Sequence, residues 1–130
     1  MKYLIDTDRV VDYLVGNADV RSLLASLQGE GIGISVVTFT EIYEGIYASR
    51  SPKDAERGFR ELLRSTSVLP FTRTVAKRTA QIRRELRSRK RPLTHRALDL
   101  VIAGTALTYS LTVVTGNKKD YDDIPDLNLY

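Results

Sequence analysis

Met1-Lys2-Tyr3-Leu4-Ile5-Asp6-Thr7-Asp8 opens the chain, a short apolar run that stops on two carboxylates and a hydroxyl. Tyr3, Leu4 and Ile5 are too few for a core helix and are followed at once by turn-forming residues, so they read as a strand buried on both faces. Asp6 then stands at the carboxyl end of that strand. In open α/β sheets the ligand crevice lies outside the carboxyl ends of the strands, which gives a carboxylate there a functional reading. The competing reading is structural: Asp6, Thr7 or Asp8 caps a helix running from Arg9 to Val15.

Outward from this strand, helices and short strands alternate. Val20, Leu23, Leu24 and Leu27 recur at i, i+3, i+4 and i+7, which predicts a helix entered through Asn17 and ended by Gly29. Ile32 and Ile34 form a second short strand closed by Ser35, and Phe39, Ile42, Tyr43, Ile46 and Tyr47 form the next helical stripe. Ser51-Pro52 opens a helix with Ala55, Phe59, Leu62 and Leu63 inward. Val68-Leu69 makes a third strand. From Thr72 a long helix turns Val75, Thr79, Ile82 and Leu86 inward and a basic face outward. Ala97 to Leu111 is apolar almost all round, the pattern of a buried helix. Leu111 to Thr115 is a strand by its β-branched content, and Leu127 to Leu129 is at most an edge strand. Such alternation implies parallel βαβ units and a three-layer α/β sandwich with four to five strands.

At 130 residues the chain reads as one domain, residues 1–130, with a core that needs no staples. It has no cysteine, which removes disulfides, thiolate metal sites and cysteine nucleophiles and accords with a cytoplasmic location. Its one histidine, His95, rules out a histidine pair for metal-free RNA cleavage and reads as a solvated side chain at a helix start. No stretch approaches the ~18 apolar residues of a membrane span. The formal net charge of +4 favours polyanionic partners without naming one.

Asp99 is the most informative single residue. It heads the stripe continued by Ile102, Ala103 and Ala106, so it points to the packed side of the most apolar helix, where an ionised carboxylate needs a partner, hydrogen bonds or a metal. Arg96, one turn away, offers an ordinary ion pair as the competing reading. Glu41 also has two readings, because Thr38-Phe39-Thr40-Glu41 fits a capping box, while Gly45 one turn on leaves room beside it. The polar segment Thr115-Gly116-Asn117-Lys118-Lys119-Asp120 leaves the fourth strand at the same sheet edge as Asp6, since parallel strands share a direction. Acids converging there repel by about 4 kcal/mol per pair at 4 Å and an effective dielectric of 20. A cation relieves this, and an oxygen-only donor set selects a hard ion, Mg²⁺ or Mn²⁺. Such an ion suits phosphodiester hydrolysis.

These segments together resemble the PIN domains, and within them the VapC-type toxins of prokaryotic toxin-antitoxin pairs. The resemblance rests on Leu4-Ile5-Asp6-Thr7-Asp8, Ser35 to Gly45 around Glu41, Asp99-Leu100-Val101-Ile102-Ala103, and Val114 to Tyr121, in that order across nearly the whole chain. It implies strand order 3-2-1-4-5. It places Asp6, Glu41 and Asp99 at the family's three acidic metal positions, with Thr7 and Thr115 as hydroxyl supports. Asn117 stands where many members carry a fourth acid, and Asp120 follows three residues later. The implied protein is a homodimeric Mg²⁺- or Mn²⁺-dependent endoribonuclease leaving a 3′-hydroxyl and a 5′-phosphate. Its implied target is transfer or ribosomal RNA, and a VapB-type antitoxin lying over the cleft neutralises it.

Nine basic residues between Arg73 and Arg91 form either a solvated helix face or a track for a polyanion, and Lys118 and Lys119 lie nearer the candidate site. Two other functions compete with the nuclease. An inert PIN-like module would bind RNA or protein through these residues, but it has no need of Asp6, Glu41 and Asp99 together. A phosphoacceptor receiver domain needs an aspartate at the end of a middle strand, and Ser67-Val68-Leu69-Pro70 has none.

Overall fold

The computed structural model describes residues Met1–Tyr130. β1 (Tyr3–Ile5) is buried along its whole length, and its side chains alternate between two cores. Tyr3 and Ile5 join Val10, Leu24, Ile34, Ile46 and Phe59 on one face. Leu4 joins Leu86, Leu100, Ile102 and Val113 on the other. β2 (Ile32–Ser35), β3 (Thr66–Leu69) and β4 (Thr112–Val114) complete a parallel sheet of order β3-β2-β1-β4. β1 sits inside it, with Tyr3 in register with Ile32 and with Thr112.

The first face is covered by α1 (Thr7–Leu14), α2 (Ala18–Leu27), α3 (Val36–Ala48) and α4 (Pro52–Leu63), the second by α5 (Arg73–Ser88) and α6 (Ala97–Thr108). This is the three-layer α/β arrangement that the alternating pattern implies. The fifth strand shrinks to one parallel bridge, Val113 to Leu129, held by Val113 N–H donating to Asn128 O and Tyr130 N–H to Val113 O, each at 2.9 Å. No helix is long and apolar enough to cross a membrane.

Several boundaries move, each for a local reason. α1 begins at Thr7, two residues before the expected Arg9, because the Asp6 carboxylate caps it. α2 does not end through Gly29. A 3₁₀ turn over Gln28–Glu30 follows it, and Gly31 makes the reversal with φ of 89°, where a Cβ would lie 2.7 Å from the Met1 Cα. α6 stops at Thr108 and not Leu111, because Ser110 enters the left-handed region (φ 55°) and returns the chain through Leu111 N–H to Ala106 O at 2.8 Å. His95 is also left-handed (φ 63°) and exposed, in the turn before α6 and not at its start.

A side chain in the left-handed region costs free energy that glycine avoids. Ser110→Gly is therefore expected to raise stability by about 0.5–1 kcal/mol. Urea unfolding midpoints of the two proteins measure it.

Candidate active site

Asp6, Thr7 and Asp8 leave β1 where Thr115, Gly116 and Asn117 leave β4, and Asp6 N–H donates to Val114 O at 2.9 Å to join the two exits. Asp6 is buried. Its Oδ1 accepts the Thr7 backbone N–H at 2.8 Å, and its Oδ2 accepts the Thr115 hydroxyl at 2.8 Å. The capping reading of Asp6 is therefore realised, at the carboxyl end of β1 where the sequence places it. The Thr115 hydroxyl also accepts the Asn117 N–H at 3.0 Å, so β4's exit loop is shaped around Asp6.

Glu41 is not part of a capping box. Ser35 caps α3 by accepting from Val37 N–H at 3.0 Å, and Glu41 projects from the second turn, where its Oε1 accepts the Thr7 hydroxyl at 2.7 Å. The buried Thr38 hydroxyl lies 3.0 Å from the same Thr7 hydroxyl. Thr7 thus ties α3 to the end of β1. Beside Glu41 opens an apolar groove of about 330 Å³ lined by Val11, Leu14, Ile42 and Gly45, and a Cβ on Gly45 would meet nothing within 4 Å.

Asp99, in the first turn of α6, has no cationic partner. Arg96 turns away from it and grips Asp123 through two N–H···O bonds of 2.6 and 2.9 Å, with a third donated to the Asp120 carbonyl at 3.2 Å. Arg91 adds a 3.0 Å bond to Asp123. These contacts hold the Asp123 carboxyl below its ordinary range and raise Arg96 in turn. Asp99 receives only a long 3.4 Å contact from the Tyr121 hydroxyl. Burial, then the negative charges of Asp6, Asp120 and Glu41, push its carboxyl up to about 6. Asp99 therefore stands in the negative field of the other three acids.

Two further residues belong to this field. Asp8 Oδ2 accepts the Gly116 N–H at 2.9 Å, while its Oδ1 is buried without a partner. Burial, then the neighbouring Asp6, raises its carboxyl. A Cβ on Gly116 would lie 2.8 Å from Asp8 Oδ2, so a larger residue would push the Asp8 carboxylate aside. Tyr121 is buried, and burial followed by the charges of Asp6 and Asp99 holds its hydroxyl protonated. Sequence reasoning offered Asp8 only as a helix cap and gave Tyr121 no role of its own. The signals were an Asp-x-Asp pair and one large aromatic residue inside a polar loop.

Asn117 is exposed and does not reach Asp6 or Asp99. Its side-chain amide donates to Asp120 Oδ2 at 2.7 Å, inside the 3₁₀ turn Lys118–Asp120. No three carboxylates stand close enough to chelate one ion. The donor set nevertheless fits a hard cation: it is all oxygen, partly buried, and carries negative charge that no side-chain cation opposes at Asp99.

A family model described as PIN domain matches residues 3–127. The chain is 30% identical over 129 residues to the "tRNA(fMet)-specific endonuclease VapC" of Shigella flexneri, covering 98% of this chain and 95% of that protein. Its fold superposes on the DNA-bound VapBC complex of Salmonella typhimurium with a TM-score of 0.90 at 25% identity, over 100% of this chain and 97% of the other. The VapBC2 complex of Rickettsia felis, bound to a promoter DNA fragment, gives the same TM-score at 23% identity, over 100% and 98%. By its family match, its sequence identity and its fold, this chain belongs to the PIN-domain family, among the VapC-type proteins.

Proposed function

We propose that this protein is the toxin of a type II toxin-antitoxin pair and an endoribonuclease that depends on Mg²⁺ or Mn²⁺. The observation that carries the reading is Asp99, a partly buried carboxyl pushed up to about 6 by burial and by Asp6, Asp120 and Glu41, with its one nearby arginine committed elsewhere. A partly buried carboxyl facing three other acids is costly to ionise unless a cation enters among them. The substrate named for the Shigella relative, a tRNA, makes RNA the class of substrate. The VapBC complexes among the structural relatives support a VapB-type antitoxin as partner, with the apolar groove beside Glu41 open to it. A homodimer accompanies this reading.

Asp6, Glu41 and Asp99 would hold the ion by converging on it from separate elements, since without it no three carboxylates stand within chelating distance. When bound, it supplies Lewis acidity toward the scissile phosphate and toward an attacking water. Everything else is done by the chain. The Thr115 hydroxyl and Thr7 N–H hold both oxygens of Asp6, and the Thr7 hydroxyl aims Glu41. Tyr121 keeps its proton and offers it to Asp99. Asn117 donates to Asp120 Oδ2, and the Asp120 carboxylate would take the proton from the water. The hydrolysis leaves a 3′-hydroxyl and a 5′-phosphate.

The test is cleavage of end-labelled tRNA by the antitoxin-free protein. Discrete cuts with Mg²⁺ or Mn²⁺ that EDTA abolishes and re-added metal restores are expected. Cleavage that persists in EDTA would remove the metal from the mechanism. Salt-sensitive RNA binding with no cleavage in either metal would favour the inert binding module.

A further inference from the structure

Six basic residues lie in α5: Arg73, Lys77, Arg78, Arg83, Arg84 and Arg87. None of them takes part in any of the ion pairs of the structure, and the helix's one acid, Glu85, is engaged by Arg89 beyond its end. The helix therefore carries +5 where the whole chain carries +4, so the rest of the protein is one charge negative. All of the net positive charge is on this helix.

Its distribution is ordered. Val75, Thr79, Ile82 and Leu86 are buried. Arg73, Lys77, Arg84 and Arg87 are exposed and stand at i, i+4, i+11 and i+14, a single stripe opposite the buried one. At 1.5 Å per residue the stripe is about 21 Å long.

We infer that this face of α5 is a second RNA-binding surface, which holds the phosphate backbone of the substrate outside the cleft. The inference rests on the ribonuclease reading above. Charge and shape both select the occupant. A ladder of one sign along a straight element matches a regularly charged backbone, and phosphate contacts need no base-specific groups. A protein partner needs an apolar centre to bury. No large apolar side chain is exposed anywhere between Arg73 and Ser88. The stripe also leads to the site, because the helix runs on into the segment whose Arg91 and Arg96 hold Asp123 and the Asp120 carbonyl.

The experiment compares the wild type with a variant carrying Arg73→Gln, Lys77→Gln, Arg84→Gln and Arg87→Gln, all exposed positions, with circular dichroism to confirm the fold. Cleavage is followed on whole tRNA and on a hexanucleotide spanning one of the cut sites. KM for tRNA is expected to rise at least about tenfold with kcat unchanged, and the slope of log KM against log salt to fall by about 3, near one unit per lost phosphate contact. The hexanucleotide, with at most five phosphates to share between the cleft and α5, is expected to lose far less in KM than tRNA does. An unchanged tRNA KM and salt slope, or equal losses on both substrates, would overturn the proposal. So would lost affinity for the antitoxin with RNA kinetics intact, which would assign the stripe to an acidic protein. If the wild type cuts neither substrate, the ribonuclease reading fails by itself. Equilibrium tRNA binding in EDTA then decides the stripe: a reduced salt slope in the variant upholds it and an equal slope removes it.

Discussion

Asp99→Asn is expected to lower the rate of RNA cleavage by about a thousandfold and, in the metal-free protein at pH 7, to raise thermal stability. The first effect follows from charge. One carboxylate facing a cation at about 4 Å contributes about 4 kcal/mol at an effective dielectric of 20, which is close to three decades of rate. The second follows from the fold. Asp99 is pushed up from its ordinary 3.8 to about 6 by burial and by Asp6, Asp120 and Glu41, so its ionised form is the disfavoured one in the native state.

For a carboxyl raised on folding, the destabilisation is absent below about pH 4, grows between pH 4 and 6, and is complete above. Two units at 1.36 kcal/mol each set a ceiling, and Asp99 is partly open to solvent, so screening reduces the effect to about 1 kcal/mol. Melting temperatures across pH 4–8 in EDTA measure it: the wild type should lose stability relative to the variant through this window. Added Mg²⁺ should stabilise the wild type more than the variant by mass action. Full cleavage by the variant would return Asp99 to a structural role. An unchanged melting temperature at pH 7 would mean that the four acids do not repel as their geometry requires.

Gly104→Val is expected to destabilise the fold by about 3 kcal/mol without touching the site, since a side chain has no space there. α6 passes α5 at this glycine. An added Cβ would overlap the Thr79 hydroxyl and lie 3.2 Å from both the Thr79 Cβ and its backbone nitrogen. The hydroxyl has no freedom to retreat, because it donates to Val75 O at 2.9 Å within its own helix. The two helices must separate, and the core of Leu86, Leu100 and Ala103 opens with them. Urea unfolding gives the size of the loss. In a double-mutant cycle, Thr79→Ala should recover about half of the loss caused by Gly104→Ala. Gly45→Ala provides the contrast: a Cβ there meets nothing within 4 Å, and a helical glycine replaced by alanine gains about 0.5–1 kcal/mol. Equal effects at the two positions would show that the α5–α6 approach is looser than the backbone indicates.

The core was legible because burial imposes a period on the chain. Val75, Thr79, Ile82 and Leu86, read as an inward stripe, are the four buried residues of α5. Tyr3 to Ile5, read as a strand covered on both sides, feeds two separate cores. The candidate site was read from the sequence as a set of acids, through the polarity of Asp99 in an apolar helix and the position of Asp6 at a strand end. Its connections were not. Thr38 to Glu41 satisfies the local pattern of a capping box, yet the backbone amide it would serve belongs to a helix that Ser35 already caps, and Glu41 is drawn instead to Thr7, 34 residues away in sequence. Arg96 is one turn from Asp99, yet its guanidinium forks onto both oxygens of Asp123, 27 residues away in sequence.

By itself, then, the sequence determined what depends on local spacing and residue chemistry: the alternation of strands and helices, which faces are apolar, and a donor set of oxygens with no thiolate and only one imidazole. Tertiary structure decided which groups meet. Thr115 finds Asp6 across 109 positions, Tyr121 finds Asp99, and Arg96 finds Asp123. The first exists because β1 and β4 pair in parallel and bring their exits together; the other two join the loop after β4 to the start of α6. Pairing between strands so far apart in the chain is set by the burial of the whole sheet and leaves no local mark on the residues it joins.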